Sequence, residues 1–323
     1  MMKMKSLIWV NFVCACFAVM VSACEERSNE PVGEGEVAFE ITDAPIDDAN
    51  VKSVMVTVAD VRVDGKSLSG FSKQTIDLKA YQDGETRLLG SAMMDARSYS
   101  NLTLVLDLNN DDQGDSPGCY VLDQDNTRHQ LKSTTSGTLD IAMGQSWKTI
   151  NNAKTNVVMD FDLRKSIRYA DDSEGGYNFV SDNNLNSAVR VVTKQNSATI
   201  SGSYQDEGSV NADMIIVHAY RKGTFNSSTE TQPDAVDGIY FRNAVASAEV
   251  KSSLTGKRFT LAFLPEGEYE LHYSAYSKND ISGKYTFEAM LQSETIVNGS
   301  VGNLIKIEAG VDLSIATKIT GVI

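Results

Sequence analysis

Val51-Lys52-Ser53-Val54-Met55-Val56-Thr57-Val58-Ala59-Asp60-Val61-Arg62-Val63 decides the fold class. Val54, Val56 and Val58 fall on one parity, Val61 and Val63 on the other. Alternating β-branched residues mark a half-buried strand, and a one-residue slip would turn the second set to solvent. The switch near Ala59-Asp60 therefore predicts a β-bulge within one long strand. Upstream, Val37, Phe39 and Ile41 alternate against Ala38 and Glu40 until Thr42-Asp43-Ala44-Pro45 breaks the run. Downstream, Asp64-Gly65 supplies a turn. Further strands are predicted over 75–78, 102–108, 120–122, 137–141, 156–163 and 188–192, with short helices only over 163–169 and 90–99. Short strands at this spacing point to an antiparallel sandwich.

A second set of strands begins after Lys194-Gln195-Asn196, over 198–202 and 214–220. Phe259, Leu261 and Phe263 then alternate inward, Pro265 and Gly267 make a turn, and Tyr269, Leu271 and Tyr273 alternate back. The expected form is a hairpin over one buried face. Last strands are expected over 294–307 and 310–317. The class is mostly β: two β-sandwich domains, 36–194 with one or two short helices, and 197–323 with seven strands.

The start of the chain has a different chemistry. Lys3 and Lys5 precede an apolar run from Leu7 to Val21 interrupted by Asn11, and Val21-Ser22-Ala23-Cys24 follows. The apolar run is shorter than the roughly 20 residues that cross a bilayer as a helix. The order of charge, apolar run and small residues is that of a secretion signal over 1–23. The tetrapeptide resembles a lipobox, which implies cleavage by signal peptidase II and acylation of Cys24, with palmitate among the chains. Residues 24–35, charged and without periodicity, read as a flexible tether. Glu25-Glu26 resembles the acidic export signal of Bacteroidota lipoproteins. That resemblance implies an outer-membrane location, lipid-anchored and facing outward, with the periplasmic face as the alternative.

Composition narrows the function. Of four cysteines, Cys14 and Cys16 leave with the signal and Cys24 is taken by lipid, so Cys119 is left without an intrachain partner. Cys119 reads as a buried, inert thiol. The formal charge of −14, more negative still once Lys3 and Lys5 are removed, repels phosphate backbones and argues against nucleic acid as a partner.

Ile41-Thr42-Asp43-Ala44-Pro45-Ile46-Asp47-Asp48-Ala49, Val56-Thr57-Val58 with Val61-Arg62-Val63, and Ile76-Asp77-Leu78 resemble the opening of the domain-of-unknown-function 4382 family. Tyr99 with Leu102, Met159-Asp160-Phe161-Asp162-Leu163-Arg164-Lys165-Ser166-Ile167, and Val189-Arg190-Val191-Val192 resemble its later signatures. The resemblance spans roughly 36–194 and implies a secreted bacterial lipoprotein without assigned chemistry. Where the family carries a glycine two before the tyrosine, this chain has Arg97. Leu264-Pro265-Glu266-Gly267-Glu268-Tyr269 resembles the corresponding motif of transthyretin-like, carboxypeptidase-regulatory-like sandwiches, which implies a stiffening, spacing or binding module over 197–323.

Candidates for chemistry are few. His129, His218 and His272 are the only histidines; the last two lie in strand patterns, where a half-exposed strand residue is the expected role, and no zinc-type pair exists. Gly114-Asp115-Ser116-Pro117-Gly118 spells a nucleophile elbow without the strand-turn-helix setting that the elbow needs. Asp160 and Asp162 sit at i, i+2 on one strand face, with Asp43 or Asp47 able to approach. They read either as an acid/base pair or cation site, or as a turn cap at Asp162 beside an ion-paired Asp160. Asp107, Asn109, Asp111 and Asp115 place oxygens as an irregular calcium site would, although Asp112 and Gly118 exclude an EF-hand. Asp171-Asp172-Ser173-Glu174 reads as an exposed acidic loop. Trp147, Tyr81 and Tyr177 are the aromatics considered for glycan stacking, with packing the expected role. The expectation is a non-catalytic envelope lipoprotein, binding or scaffolding a protein or glycan and needing no cofactor unless calcium. An envelope hydrolase using Asp160 and Asp162 is the alternative. A surface-fibre subunit built by exchange of a strand over 310–323 is the second.

Overall fold

The computed structural model describes residues 33–170, 176–207, 210–280 and 283–323. The signal segment, Cys24, the tether up to residue 32 and the stretch 171–174 lie outside them. The described chain is mostly strand, arranged around two main cores.

The first core lies between two sheets. One has four strands in the order Val189–Thr193, Lys154–Asp162, Glu34–Ala44, Arg87–Asp95. The other has nine and is centred on Val51–Val63. The bulge is where the valine pattern puts it: the register against Leu102–Asp107 shifts between Val58 and Asp60. Val54, Val56, Val58, Val61 and Val63 consequently all reach the core. The antiparallel expectation needs correction. Glu34–Ala44 runs parallel to Lys154–Asp162, and Gly176–Phe179 runs parallel to Arg128–Lys132. The tether also ends earlier than expected, since Glu34 and Gly35 already pair with Asp95 and Met94.

Two helix expectations change as well. Residues 90–99 form strands, Arg87–Asp95 and Ser98–Tyr99, and the helix after Asp162 is only Leu163–Ser166 before strand Ile167–Ala170 takes over. Asp182–Ala188 is a helix although its Asn- and Ser-rich sequence has poor propensity. The turn before Tyr99 forms without glycine: Arg97 lies 3.9 Å over the Tyr99 ring and pairs with Asp64 at 2.7 Å.

The second core is wrapped by one ten-stranded sheet. Seven of its strands have four or more residues, and three are shorter. The expected hairpin does not form. Gly256–Pro265 pairs with Ser197–Asp206 and Lys251–Ser253, whereas Gly267–Lys278 pairs with Met214–Arg221, Tyr285–Val297 and Ile305–Ile307. Only Glu266 separates the two strands, too little for a two-residue hairpin loop. The chain crosses instead from one part of the sheet to another, and Tyr269 Oη donates to Pro265 O at 2.7 Å across the corner.

The alternation in this segment also breaks. The register against Ser197–Asp206 shifts between Ala198 and Ile200, and Phe263 takes φ +54°. Leu264 thereby fills the core position expected of Phe263, while Phe263 packs outward against Val158 and Val192 of the first sandwich. The expected strand over 294–307 is three, the end of Tyr285–Val297, the short Ser300–Val301 and Ile305–Ile307. Leu313–Val322 is not a detachable edge: it lies between Tyr285–Val297 and Ser197–Asp206, parallel to the latter. That placement does not supply the detachable strand over 310–323 that would favour the fibre alternative.

Candidate functional site

Parallel pairing of Glu34–Ala44 with Lys154–Asp162 sets Thr42, Asp43 and Ala44 beside Asp160, Phe161 and Asp162. Val157, Met159 and Phe161 enter the first core, so Val158, Asp160 and Asp162 face the other way. In an isolated sheet that face would meet water. Here the second sandwich covers it, and Asp160 and Asp162 are buried.

Each carboxylate is met by cations that also grip the second sandwich. Arg190, in register with Asp160 on the neighbouring strand, pairs with it at 2.5 Å. The same guanidinium donates to Phe263 O at 2.7 Å and Ala262 O at 3.2 Å. Asp162 receives Lys165 Nζ at 3.1 Å and Arg164 Nη2 at 3.6 Å. Lys165 goes on to Ala244 O at 2.7 Å, and Arg164 to the carbonyls of Tyr240 and Phe241. Asp162 occupies the N-cap position of Leu163–Ser166, yet its side chain makes no capping bond, so the capping role expected of it gives way to ion pairing. Burial pushes the Asp162 carboxyl up, but Lys165 and Arg164 outweigh it and hold it below the ordinary carboxylate value.

Asp43 lies along the same edge but turns to other partners. It accepts from Gln82 Nε2 at 3.1 Å and from the Leu163 backbone N at 3.3 Å. Burial lifts its carboxyl well above the usual range against these bonds, and the charges of Asp162 and Asp160 add to the lift. The void shared by Asp43, Asp160 and Phe263 holds about 30 Å³, room for a water or two and for no substrate. Beside it, a notch of about 170 Å³ touches Asp160, Asp162, Lys165 and Arg190, all of them already paired.

Asp237, a residue that sequence reasoning passed over, extends this seam. From the second half of the chain it accepts from Ser181 N at 3.0 Å, Ser181 Oγ at 2.6 Å and Asn184 Nδ2 at 2.6 Å, tying down the start of helix Asp182–Ala188. A serine followed by Asp-Asn-Asn is the cap signal that could have revealed the helix. Its acceptor, more than fifty residues away, carries no sequence signal.

The calcium-like loop is organised by its own backbone. Asp107 accepts from Asn109 N at 2.8 Å and Asn110 N at 3.1 Å and pairs with Lys73 at 2.8 Å. Asp111 Oδ1 accepts from Gln113 N at 2.9 Å and Asp115 N at 2.8 Å. Asn109 and Asp115 are exposed. Among the described residues no group of three or more His, Cys, Asp or Glu side chains is placed to hold a metal. Because these carboxylates are held by the loop's own backbone and by Lys73, thermal unfolding in millimolar EDTA and in millimolar calcium is expected to give the same Tm, and a calcium-dependent rise would support the calcium reading.

The remaining candidates settle into packing. Cys119 is fully buried, and burial pushes its thiol up to about 12. Trp147 stacks on Tyr99 at 4.6 Å inside the first core. Tyr81 packs half-buried on the same core, and Tyr177 is buried with its hydroxyl on Asp48 Oδ2 at 2.8 Å. His218 is not half-exposed as expected: it is enclosed between Ser247 and Ser274 and stacks on Phe241 at 4.1 Å. His272 is partly exposed and stacks on Phe225 at 3.7 Å.

The geometry defines a chain of two β-sandwiches joined by a buried ionic seam. Within it, residues 34–181 match the family described as Domain of unknown function (DUF4382). No curated protein matches the chain. Among solved structures, the TIE protein of Bacillus anthracis aligns at 12% identity over 89% of this chain and 34% of that one, with a TM-score of 0.17. The chain thus spans about a third of that protein's length. A major pilin of Streptococcus pyogenes aligns at 8% identity over 88% of this chain and 96% of that one, with a TM-score of 0.20. A candidate cell adhesion protein from Bacteroides fragilis aligns at 10% identity over 88% and 92%, with a TM-score of 0.21.

Proposed function

We propose that the protein is a non-catalytic, lipid-anchored module of a bacterial cell envelope, held by acylated Cys24 at the outer membrane and facing outward. There it acts as a stiff scaffold that binds a protein or a glycan. The observation that carries this reading is the use made of Asp160 and Asp162. The two carboxylates best suited to acid/base work are paired with Arg190, Lys165 and Arg164 and closed over by the second sandwich. A general acid or base must reach a substrate proton and titrate near working pH. Asp162 is enclosed and held below the ordinary carboxylate value. The seam suits rigidity: one compact unit spans Glu34–Ile323, so the second sandwich is held against the first and not trailed on a linker. The C-terminal part reads as the transthyretin-like spacer its Leu-Pro-x-Gly-x-Tyr motif resembles. Among the described residues no helix is long and apolar enough to cross a membrane.

Metabolic labelling with a palmitate analogue tests the anchor. The parent is expected to be labelled and to partition with membranes, and Cys24→Ala to do neither. An unlabelled parent that partitions as Cys24→Ala does would overturn the reading.

A further inference from the structure

The two halves of the chain share a second opening, also lined by Arg164. A cleft of about 240 Å³ is bordered by Asp47, Arg164 and Tyr169 from the first half and Tyr240, Lys284 and Tyr285 from the second. It is smaller than the roughly 300–1,000 Å³ of pockets for drug-sized ligands, so it fits one ring and not a folded chain.

Three features of the lining point to the same chemistry. The first is aromatic. Tyr169 is 39% exposed, and Tyr240 and Tyr285 are half-buried. Tyr169 is fixed in advance by Lys284 Nζ at 3.5 Å over its ring and by an edge contact with Tyr177 at 5.2 Å. Binding there costs little side-chain ordering. The second is polar. Asp47 lines the cleft and is half-buried, and burial raises its carboxyl to about 6 against the charge of Arg164. It can accept a hydrogen bond from a ligand hydroxyl. The third is charge balance. Asp47, Asp48 and Asp237 face Arg164, Arg168 and Lys284, so the lining favours neither a cation nor an anion.

A sugar hydroxyl needs an acceptor, and the apolar C–H face of its ring needs an aromatic wall. We propose that this cleft binds a single neutral pyranose unit of a glycan, its ring among the tyrosines and a hydroxyl donated to the Asp47 carboxylate. The proposal rests on the binding-module reading and gives it a ligand class.

The test uses the full-length chain solubilised in detergent and a panel of methyl glycosides of glucose, galactose, mannose and N-acetylglucosamine, followed by saturation-transfer NMR. At least one glycoside is expected to receive saturation at its ring protons. Its Kd is expected to rise tenfold or more in Tyr169→Ala and in Asp47→Asn, to recover in Tyr169→Phe, and to stay unchanged in Met93→Ala, a distant exposed site. Absence of binding across the panel, or binding that survives both Tyr169→Ala and Asp47→Asn, overturns the cleft assignment and leaves the anchored scaffold intact. A glycoside that binds with the expected variant pattern and is also cleaved supports the cleft and overturns the non-catalytic reading.

Discussion

Replacing Asp162 by alanine is expected to destabilise the protein by about 3–5 kcal/mol and to lower its Tm by on the order of 10 °C. The expectation follows from what remains behind. Arg164 and Lys165 have side chains only 2% and 10% exposed, and Asp162 is the one carboxylate paired with both. Without it, the two buried cations keep hydrogen bonds to the carbonyls of Tyr240, Phe241 and Ala244 but lose the carboxylate that pairs with both. Asp115→Ala, on the exposed acidic loop, serves as the control and is expected to stay within about 0.5 kcal/mol of the parent. The loss should depend on pH with a definite sign. Asp162 has a folded pKa below its unfolded one, so its contribution is in place above the unfolded value and is lost as pH falls through the lowered folded one. Asp43 has the opposite sign. Its folded pKa is raised, so its contribution is present below the unfolded value and is lost as pH rises through the folded one. Urea midpoints of parent and Asp162→Ala should therefore lie furthest apart near neutrality and converge in acid. Equal midpoints at pH 7 would show that the seam holds nothing together.

Phe263→Ala is expected to cost about 3 kcal/mol, at the low end for a buried phenylalanine. Its larger effect is expected on cooperativity. Phe263 is the apolar link from the second sandwich to Val158 and Val192 of the first. Removing it leaves the ionic bonds of Arg190 to the Phe263 and Ala262 carbonyls without their packing support. Calorimetry should show one transition for the parent and two for the variant. Phe263→Gly provides an internal check. Residue 263 has φ +54°, a conformation in which a side chain adds strain of roughly 1–3 kcal/mol. Glycine is normally the worse replacement in a strand. Here it should cost no more than alanine, and a markedly less stable glycine variant would contradict the bulge.

The sequence was legible where local period carried the information. The parity switch at Ala59-Asp60 located the bulge because both valine sets had to reach one core. The carboxylate pair at Asp160 and Asp162 is visible as an i, i+2 spacing, which allows an ion-paired Asp160 as one reading. Its partner was not visible, because Arg190 meets Asp160 only through strand pairing across thirty residues. Asp43 reached the same edge through a parallel pairing more than a hundred residues apart, for which sequence period carries no signal. Phe263 misled for a related reason. A perfect alternation on paper was shifted by one residue, and the displaced ring became the link between the two sandwiches instead of part of a core. Burial of the whole seam is a property of the second sandwich lying on the first, so neither half alone could announce it.

Carboxyl titration of Asp162 in the full-length protein, followed by carbon-detected NMR, tests most directly whether these acids hold the structure or perform chemistry. The account predicts that Asp162 stays ionised to a pH below the ordinary aspartate range, because Lys165 and Arg164 outweigh its burial. An Asp162 that takes up its proton near neutral pH, as a general acid would, contradicts it.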